Sequence, residues 1–371
     1  MKYDWMIVGA GIYGATCAER LAACGQTCLV IDRRDHVAGN CHTEERDGIA
    51  VHAYGPHVFH TNSDFIWWYV NRFTTFNSFV NRIKTISHGR VLSLPINLST
   101  LYAIWGVATP AEAKQRLEME RVPIASPANL EEWALSKVGR ELYESIVYGY
   151  TKKQWGCEPR ELPATILRRL PVRLNFDDNY YHAKHQGVPL SGYTAMVERM
   201  LGSRLIDVRL GEDFDQATWR KAARRLIFTG QPDAYLGYQF GELPYRSLRF
   251  ESERIETPDY QGNAIINHAD LSVPFTRSVE HNHFLGRPLD HTIVTREYPV
   301  AWQRGGEAFY PIVDDAGRAL HQRYKAAIEA DGDVVVGGRL GSFRYFDMDQ
   351  AIGAALSDVS KFAVGYTPPV L

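Results

Sequence analysis

A chain of 371 residues, 45% apolar and 23% charged with a formal net charge of -2, has room for about two to three domains and a well-buried core. The apolar fraction excludes a disordered chain. The near-neutral charge excludes a broad basic nucleic-acid platform, although two or three arginines suffice for a local phosphate site. The cysteines Cys17, Cys24, Cys28, Cys41 and Cys157 show no CxxC pair and no zinc spacing; they read as small core hydrophobes in a reducing compartment, with no metal site. No apolar run reaches the roughly 18 residues of a membrane span, and the chain enters a strand at once with no signal-peptide pattern. A cytoplasmic protein is the expectation.

In chain order, YDWMIV (3–8) reads as a buried strand, IYGATCAERLAAC (12–24) as a helix ended by Gly25, and TCLVID (27–32) as a second strand. This is one half of a doubly wound sheet. FNSFVNRIKTISHGRVLSLP then predicts a hairpin turning at His88-Gly89, and Thr109-Pro110-Ala111-Glu112 a helix start with a cap, an N1 proline and an acidic N3. Asn129 with Glu132 predicts another start, and Arg140 to Tyr150 a third amphipathic stretch. Residues 151–192 have poor periodicity and suggest an irregular lid or binding segment. A helix resumes over 192–201 and a buried strand over 224–229. LRFESERI, NAIINHAD, VEHNHFLG and HTIVTREYP alternate like half-exposed antiparallel strands. DVVVGG (333–338) is a last strand before a helix from Met348 to Phe362.

The pattern predicts an α/β protein: an interrupted Rossmann-like nucleotide-binding domain, assigned to FAD below, with a helical insertion domain and an antiparallel β-sheet domain. The boundaries expected are 1–62 with 193–242 and 330–371 for the nucleotide domain. The helical domain takes 98–192, and the sheet domain 63–97 with 243–329.

Gly9-Ala10-Gly11-Ile12-Tyr13-Gly14 is a GxGxxG string, weak alone but here flanked by a strand, a helix and an acidic Asp32 at the end of the next strand. Gly9 permits the turn, Gly11 lets a diphosphate approach, Gly14 lets helix pack on sheet, and Asp32 suits a ribose 2′-hydroxyl. DRRDHVAGN continues with Arg33, Gly39 and Asn40, like the flavoprotein extension of this fingerprint. VVVGGRLGSFRYFDMDQ supplies a second glycine turn and a helix start at Met348. Two separated glycine-and-helix elements suit a long dinucleotide, which favours FAD over NAD.

GPHVFHT places His57 and His60 in a restricted loop where an imidazole can face a flavin; packing alone is the rival reading. Tyr150 and Trp155 flank TKKQ and offer apolar faces for a base or sugar. Arg168, Arg169 and Arg173 can form a phosphate fork, with Arg277 as a second guanidinium. Twenty tyrosines are many, and Tyr180, Tyr181, Tyr310 and Tyr345 lie near glycine turns or irregular segments.

GAGIYGATCAERL, YGPHVFHTN, YTKKQWG, RRLPVRLNFDDNYY, PYRSLRFE and RLGSFRYFDMDQAI, in this order over nearly the whole chain, resemble the bacterial UDP-galactopyranose mutase family. The resemblance implies an isomerase of galactofuranose biosynthesis that interconverts UDP-galactopyranose and UDP-galactofuranose. It implies a homodimer with non-covalent FAD, active only when the flavin is reduced, with NAD(P)H or reduced flavin as reductant. Ring contraction would then proceed with flavin N5 as nucleophile at the anomeric carbon. Arg169 and Arg277 match the arginines that clamp the diphosphate, Tyr150 the residue stacking on uracil, and Trp155 the tryptophan near the sugar. Tyr180 matches a phosphate contact and Tyr181 a neighbour of the uridine, where phenylalanine is usual. Tyr310 and Tyr345 match paired phosphate-binding tyrosines. His60 matches the histidine packed on the isoalloxazine, with His57 its companion. Asn81 and Asn267 match positions near the substrate, and Arg339 and Asp347 positions near the flavin. Phe343 stands where tyrosine is common. The rival enzyme is an FAD-dependent oxidoreductase of the amine oxidase-like class, which would consume a reductant or oxygen in step with its substrate; a mutase needs reduction only once.

Overall fold

The computed structural model describes residues 2–166 and 171–363. The chain forms two compact units: Met1–Ser78, Ala183–Arg246 and Arg304–Leu371 make the first, Phe79–His182 and Ser247–Gln303 the second.

The first unit is built on a parallel sheet ordered Val334–Val336, Ala223–Phe228, Tyr3–Val8, Cys28–Asp32, Ile206–Leu210. Its inner strands are continuous apolar runs because both faces are covered: Ile7, Val30 and Ile227 have no exposed surface. Helices Ile12–Ala23 and Met348–Phe362 pack together, and Tyr3, Leu29, Trp219, Leu226 and Ile328 share one buried cluster. The Ile206–Leu210 strand escapes the sequence reading because it is an edge. Only Ile206 is buried: IDVRL does alternate apolar and polar residues, but it is five residues long and Val208 and Leu210 stay exposed. Cys17, Cys28 and Cys41 are buried and unpaired, and burial pushes Cys28 and Cys41 up to about 12, as inert core thiols require.

In the second unit the sheet runs Tyr245–Ile255, Thr292–Ala301, Arg277–Glu280, Ile265–His268, Ile83–Ser87, Arg90–Leu94. The hairpin turns at His88-Gly89 as expected, both with positive φ. The sheet is mixed rather than antiparallel throughout, since Ile266 lies in parallel register with Lys84. A parallel pair cannot be joined by a tight turn, and the chain between these two strands is long, residues 88–264, including helices, further strands and the Ala183–Arg246 part of the first unit. VEHNHFLG also departs from its alternation. Val279 and Glu280 end a strand, Asn282–Leu285 is a helical turn, and Gly286 closes it with φ +62°. A short polar–apolar alternation fits one turn of helix as well as a strand, and within the turn Asn282–Leu285 Phe284 is the buried residue.

The helical starts were legible. Thr109 accepts from the Glu112 N–H at 3.3 Å while Glu112 reaches back, and Asn129 accepts from the Glu132 N–H at 2.9 Å. Leu130–Leu142 kinks at Gly139 (φ +79°), where a Cβ would meet the Glu120 carbonyl at 2.4 Å. Beyond it the chain forms a π-helical turn, Tyr143–Tyr148, and then the helix Gly149–Trp155. No helix among the described residues is long and apolar enough to cross a membrane.

Candidate active site

In the first unit the glycine turns make a cleft of about 470 Å³. Gly9 holds φ +105°, and a Cβ there would lie 2.1 Å from Thr229 Oγ1; at Gly14 it would lie 2.0 Å from the Gly9 carbonyl. Both positions therefore need glycine, for the turn and for close packing of helix on strand. No side chain caps the Ile12–Ala23 helix, and its first turn holds no acid, which leaves N–H groups and a positive dipole end for an anion. Asp32 is braced from two sides: Oδ2 accepts from the Ala10 N–H at 2.8 Å and Oδ1 from the Arg34 N–H at 3.0 Å. The helix starting at Met348 brings a second N-terminus to the cleft through Asp347 and Met348.

Of the sequence-predicted cofactor residues, Gly9, Gly11, Gly14, Asp32, Arg33, Gly39, Asn40, His57, Arg339, Asp347 and Met348 all line this cleft. His60 does not line it, but its Nε2 lies 3.8 Å from Asp347 Oδ2. His57 is held at three points: its N–H donates to His52 Nδ1 at 3.1 Å, its Nδ1 meets the Gly55 carbonyl at 2.8 Å, and its carbonyl accepts from the Tyr193 hydroxyl at 3.0 Å.

Sequence reasoning missed Arg34 and Glu307. Arg33 pairs with Glu307 at 2.7 Å, but Arg34 is the more enclosed: it pairs with the same carboxylate, donates to Asn40 Oδ1 at 3.0 Å and covers the Tyr54 ring at 4.2 Å. An acid inside GGEAF beside a predicted glycine turn was the available signal. Tyr310 and Tyr345 stack, centroids 5.7 Å apart, and the Arg339 guanidinium lies within 6 Å of both rings while donating to the Phe346 carbonyl at 2.9 Å.

In the second unit three predicted substrate residues meet around one guanidinium. Arg277 opens its strand, Asn267 stands opposite it in the antiparallel ladder, and Tyr150 is the second residue of the Gly149–Trp155 helix. Arg277 donates to the Tyr150 hydroxyl at 3.1 Å and to Asn267 Oδ1 at 3.3 Å, and lies 3.4 Å from a Glu297 carboxylate oxygen. Glu297 was missed; its signal was an acid at an inward position of TREYP. Burial raises its pKa, opposed by the Arg277 charge.

Trp155 ends the helix, followed by Gly156 in the left-handed region. Asn81 is buried, and its carbonyl accepts from the Tyr180 N–H at 2.8 Å. Tyr180 and Tyr181 meet edge to face at 5.2 Å. Arg173 is no phosphate fork: it donates to the Asn179 and Asp177 carbonyls at 2.6 and 3.1 Å and ties the turn before Tyr180. Arg168 and Arg169 lie outside the described residues. One His–carboxylate trio, Asp259, Glu280 and His283, gathers among the described residues, but Glu280 is used to hold the N–H groups of Tyr260 and Gln261 at 2.9 Å.

The family model described as UDP-galactopyranose mutase matches residues 145–345, and an NAD(P)-binding Rossmann-like model matches residues 7–73. A Klebsiella pneumoniae protein named "Probable UDP-galactopyranose mutase" is 41% identical over 362 residues, covering 96% of this chain and 94% of that protein. The chain belongs to the UDP-galactopyranose mutase family. It is an enzyme of the mutase class, and its nucleotide-binding domain is the Rossmann-like one of that family. A second family relative, an Escherichia coli dTDP-fucopyranose mutase, is 37% identical over 363 residues, covering 95% of this chain and 96% of the relative. The fold matches a crystal structure of reduced UDP-galactopyranose mutase with a TM-score of 0.78 over 99% of this chain and 95% of that one, at 14% identity.

Proposed function

We propose that this family member interconverts UDP-galactopyranose and UDP-galactofuranose with FAD as its cofactor. The observation that carries the cofactor is the cleft into which two glycine turns and two helix N-termini open. A Cβ on Gly39 would stand 3.0 Å from the Gly11 Cα, so this floor accepts a flat, close-lying ligand and no side chain. The residues fit a dinucleotide, with Asp32 for the adenosine ribose and the Ile12–Ala23 N-terminus for the diphosphate.

When bound and reduced, FAD would supply an electron-rich N5 as a nucleophile toward the anomeric carbon. The reaction moves no net electrons: the anomeric bond to UDP breaks, the pyranose opens, and the 4-hydroxyl closes the smaller ring before UDP returns. The chain's own task is to keep UDP in place throughout. Arg277 and Arg169 hold the diphosphate and stabilise its charge on departure, Tyr150 faces the uracil, and Trp155 stands beside the sugar. Tyr180, Tyr310 and Tyr345 offer hydroxyls to phosphate, Tyr181 borders the uridine, and Asn81 and Asn267 orient the substrate. His60, His57, Arg339 and Asp347 would be the residues that hold the flavin ring.

We place the enzyme in the cytoplasm as a homodimer, reduced by NAD(P)H or reduced flavin and supplying galactofuranose to a cell-wall or lipopolysaccharide glycan; family membership supports these assignments. The 37% identity to a dTDP-fucopyranose mutase favours one second reading, the same ring contraction on a deoxy sugar carried by thymidine diphosphate. Anaerobic incubation with UDP-galactofuranose and with dTDP-fucofuranose, each with dithionite and product separation, decides between them. UDP-galactopyranose as the faster product supports the first reading. Exclusive conversion of the fucosyl substrate replaces it with the second, and conversion of neither rejects both.

A further inference from the structure

In the second unit, the Gly149–Trp155 helix and the connection between the Ile265–His268 and Arg277–Glu280 strands are bound through one helix face. Gly149 and Lys153 stand one turn apart on that face. At Gly149 the two backbones touch, since a Cβ would lie 1.9 Å from the Ala269 carbonyl oxygen. At Lys153 the ammonium meets four main-chain carbonyls: His268 at 2.8 Å, Asp270 at 2.9 Å, Val273 at 2.9 Å and Phe275 at 3.0 Å. An ammonium has only three N–H bonds, so four acceptors at these lengths form a ring of oxygens around a cation rather than a set of single hydrogen bonds. The lengths exceed the roughly 2.3–2.6 Å at which oxygens hold calcium. Rings of backbone carbonyls are also how potassium channels replace an ion's water shell.

The neighbouring lysine has a different task. Lys152 pairs with Glu158 at 2.5 Å and donates to the Tyr148 hydroxyl at 3.2 Å. Burial pulls the Lys153 ammonium down to about 8, while the four carbonyl dipoles favour its charged form. What the clasp joins is informative. Tyr150 is next to Gly149 on the helix, and the legs of the clasped connection carry Asn267 and Arg277, which stand in ladder register; Arg277 donates to both Asn267 and the Tyr150 hydroxyl.

We propose that residues 268–275 build a monovalent-cation site which Lys153 fills with its own ammonium, and that Lys153 is thereby the positioning residue that holds the Tyr150 phenol and the Arg277 guanidinium in nucleotide-binding geometry. This rests on the reading of Tyr150 and Arg277 as UDP contacts.

The test is Lys153→Ala holoenzyme in choline, sodium, potassium or ammonium chloride at one ionic strength, with UDP affinity by calorimetry and steady-state kinetics of the reduced enzyme. In choline chloride UDP binding weakens about tenfold or more, as expected for carbonyls left buried without a donor. KM rises more than kcat falls, and potassium or ammonium restores most of the loss. Wild-type affinity in choline chloride, or a loss that no cation repairs, overturns the proposal. Wild-type enzyme that binds no UDP rejects the nucleotide reading instead, so the two failures are distinguishable. Should the variant not fold, native wild-type enzyme is acylated briefly and digested: Lys152 labels much faster than Lys153 if the ring of carbonyls holds, and equal labelling overturns it.

Discussion

Arg277 faces Glu297 across an antiparallel ladder, its Nη1 3.4 Å from a carboxylate oxygen on a side chain only 4% exposed. A buried carboxylate raised by desolvation holds its proton to higher pH in the native state than in the unfolded chain. Such a group lowers stability progressively as pH rises above its unfolded value of about 4.3. Glu297→Gln keeps the shape and removes the titration, so its melting temperature gains on wild type as pH rises from 4.3 upward. It also keeps UDP affinity within about threefold, whereas Glu297→Ala frees the guanidinium and loses about tenfold. A Gln variant as weak as the Ala variant would mean that charge, not shape, holds Arg277.

Arg277 lies in the second unit, outside both glycine-rich cofactor elements. Arg277→Ala is expected to lower kcat/KM by at least about thirtyfold, the scale of removing one partner from a buried charge cluster. Its bound flavin per chain, read from the absorption spectrum, stays at the wild-type level. Tyr150→Phe keeps the ring and removes the hydroxyl that accepts an Arg277 hydrogen bond, so KM rises by about three- to tenfold. Dithionite-reduced variants with normal turnover would contradict both.

Ala38 sits in the left-handed region at φ +73°, fully buried, with its N–H on the Ala10 carbonyl at 2.9 Å. That conformation costs a Cβ-bearing residue about 1–2 kcal/mol, part of which glycine returns as unfolded-state entropy. Ala38→Gly is therefore expected to stabilise the protein by about 0.5–1 kcal/mol in urea unfolding. Gly39→Ala is expected to do the opposite and to purify depleted of flavin, because its Cβ would enter the floor of the cleft 3.0 Å from the Gly11 Cα.

What the sequence made legible here is what neighbours along the chain decide. The strand, glycine turn, helix and Asp32 of the first 32 residues, the caps at Thr109 and Asn129, and the turn at His88-Gly89 each depend on residues within a few positions of one another. Pairings made over long separations were not legible. The parallel register of Ile266 with Lys84 follows from tertiary assembly, and the short alternation of the Ile206–Leu210 edge goes with burial of Ile206 alone. In the site, Tyr150, Asn267 and Arg277 could be named but not brought together, because their meeting depends on ladder register. Glu297 was hidden as one acid among many on alternating strands. Lys153 was hidden because its partners are backbone carbonyls, which leave no trace in side-chain chemistry.

His268 is pulled down to about 4, first by burial and then by the Lys153 ammonium. A base depressed in the native state contributes stability above its unfolded value near 6.5 and loses it as pH falls from there toward 4. His268→Gln is expected to flatten the decline in melting temperature between pH 6.5 and 4 while leaving the value at pH 8 nearly unchanged. An acid limb identical to that of wild type would remove His268 from the explanation.

The decisive measurement is the number of UDP-galactofuranose molecules converted per reducing equivalent under strict anaerobiosis. Enzyme reduced once with dithionite, then freed of it, should convert many substrate molecules per bound flavin, while oxidised enzyme converts essentially none. Conversion limited to one molecule per two electrons, or an equal rate from enzyme never reduced, would contradict a reduced flavin that catalyses ring contraction without being consumed.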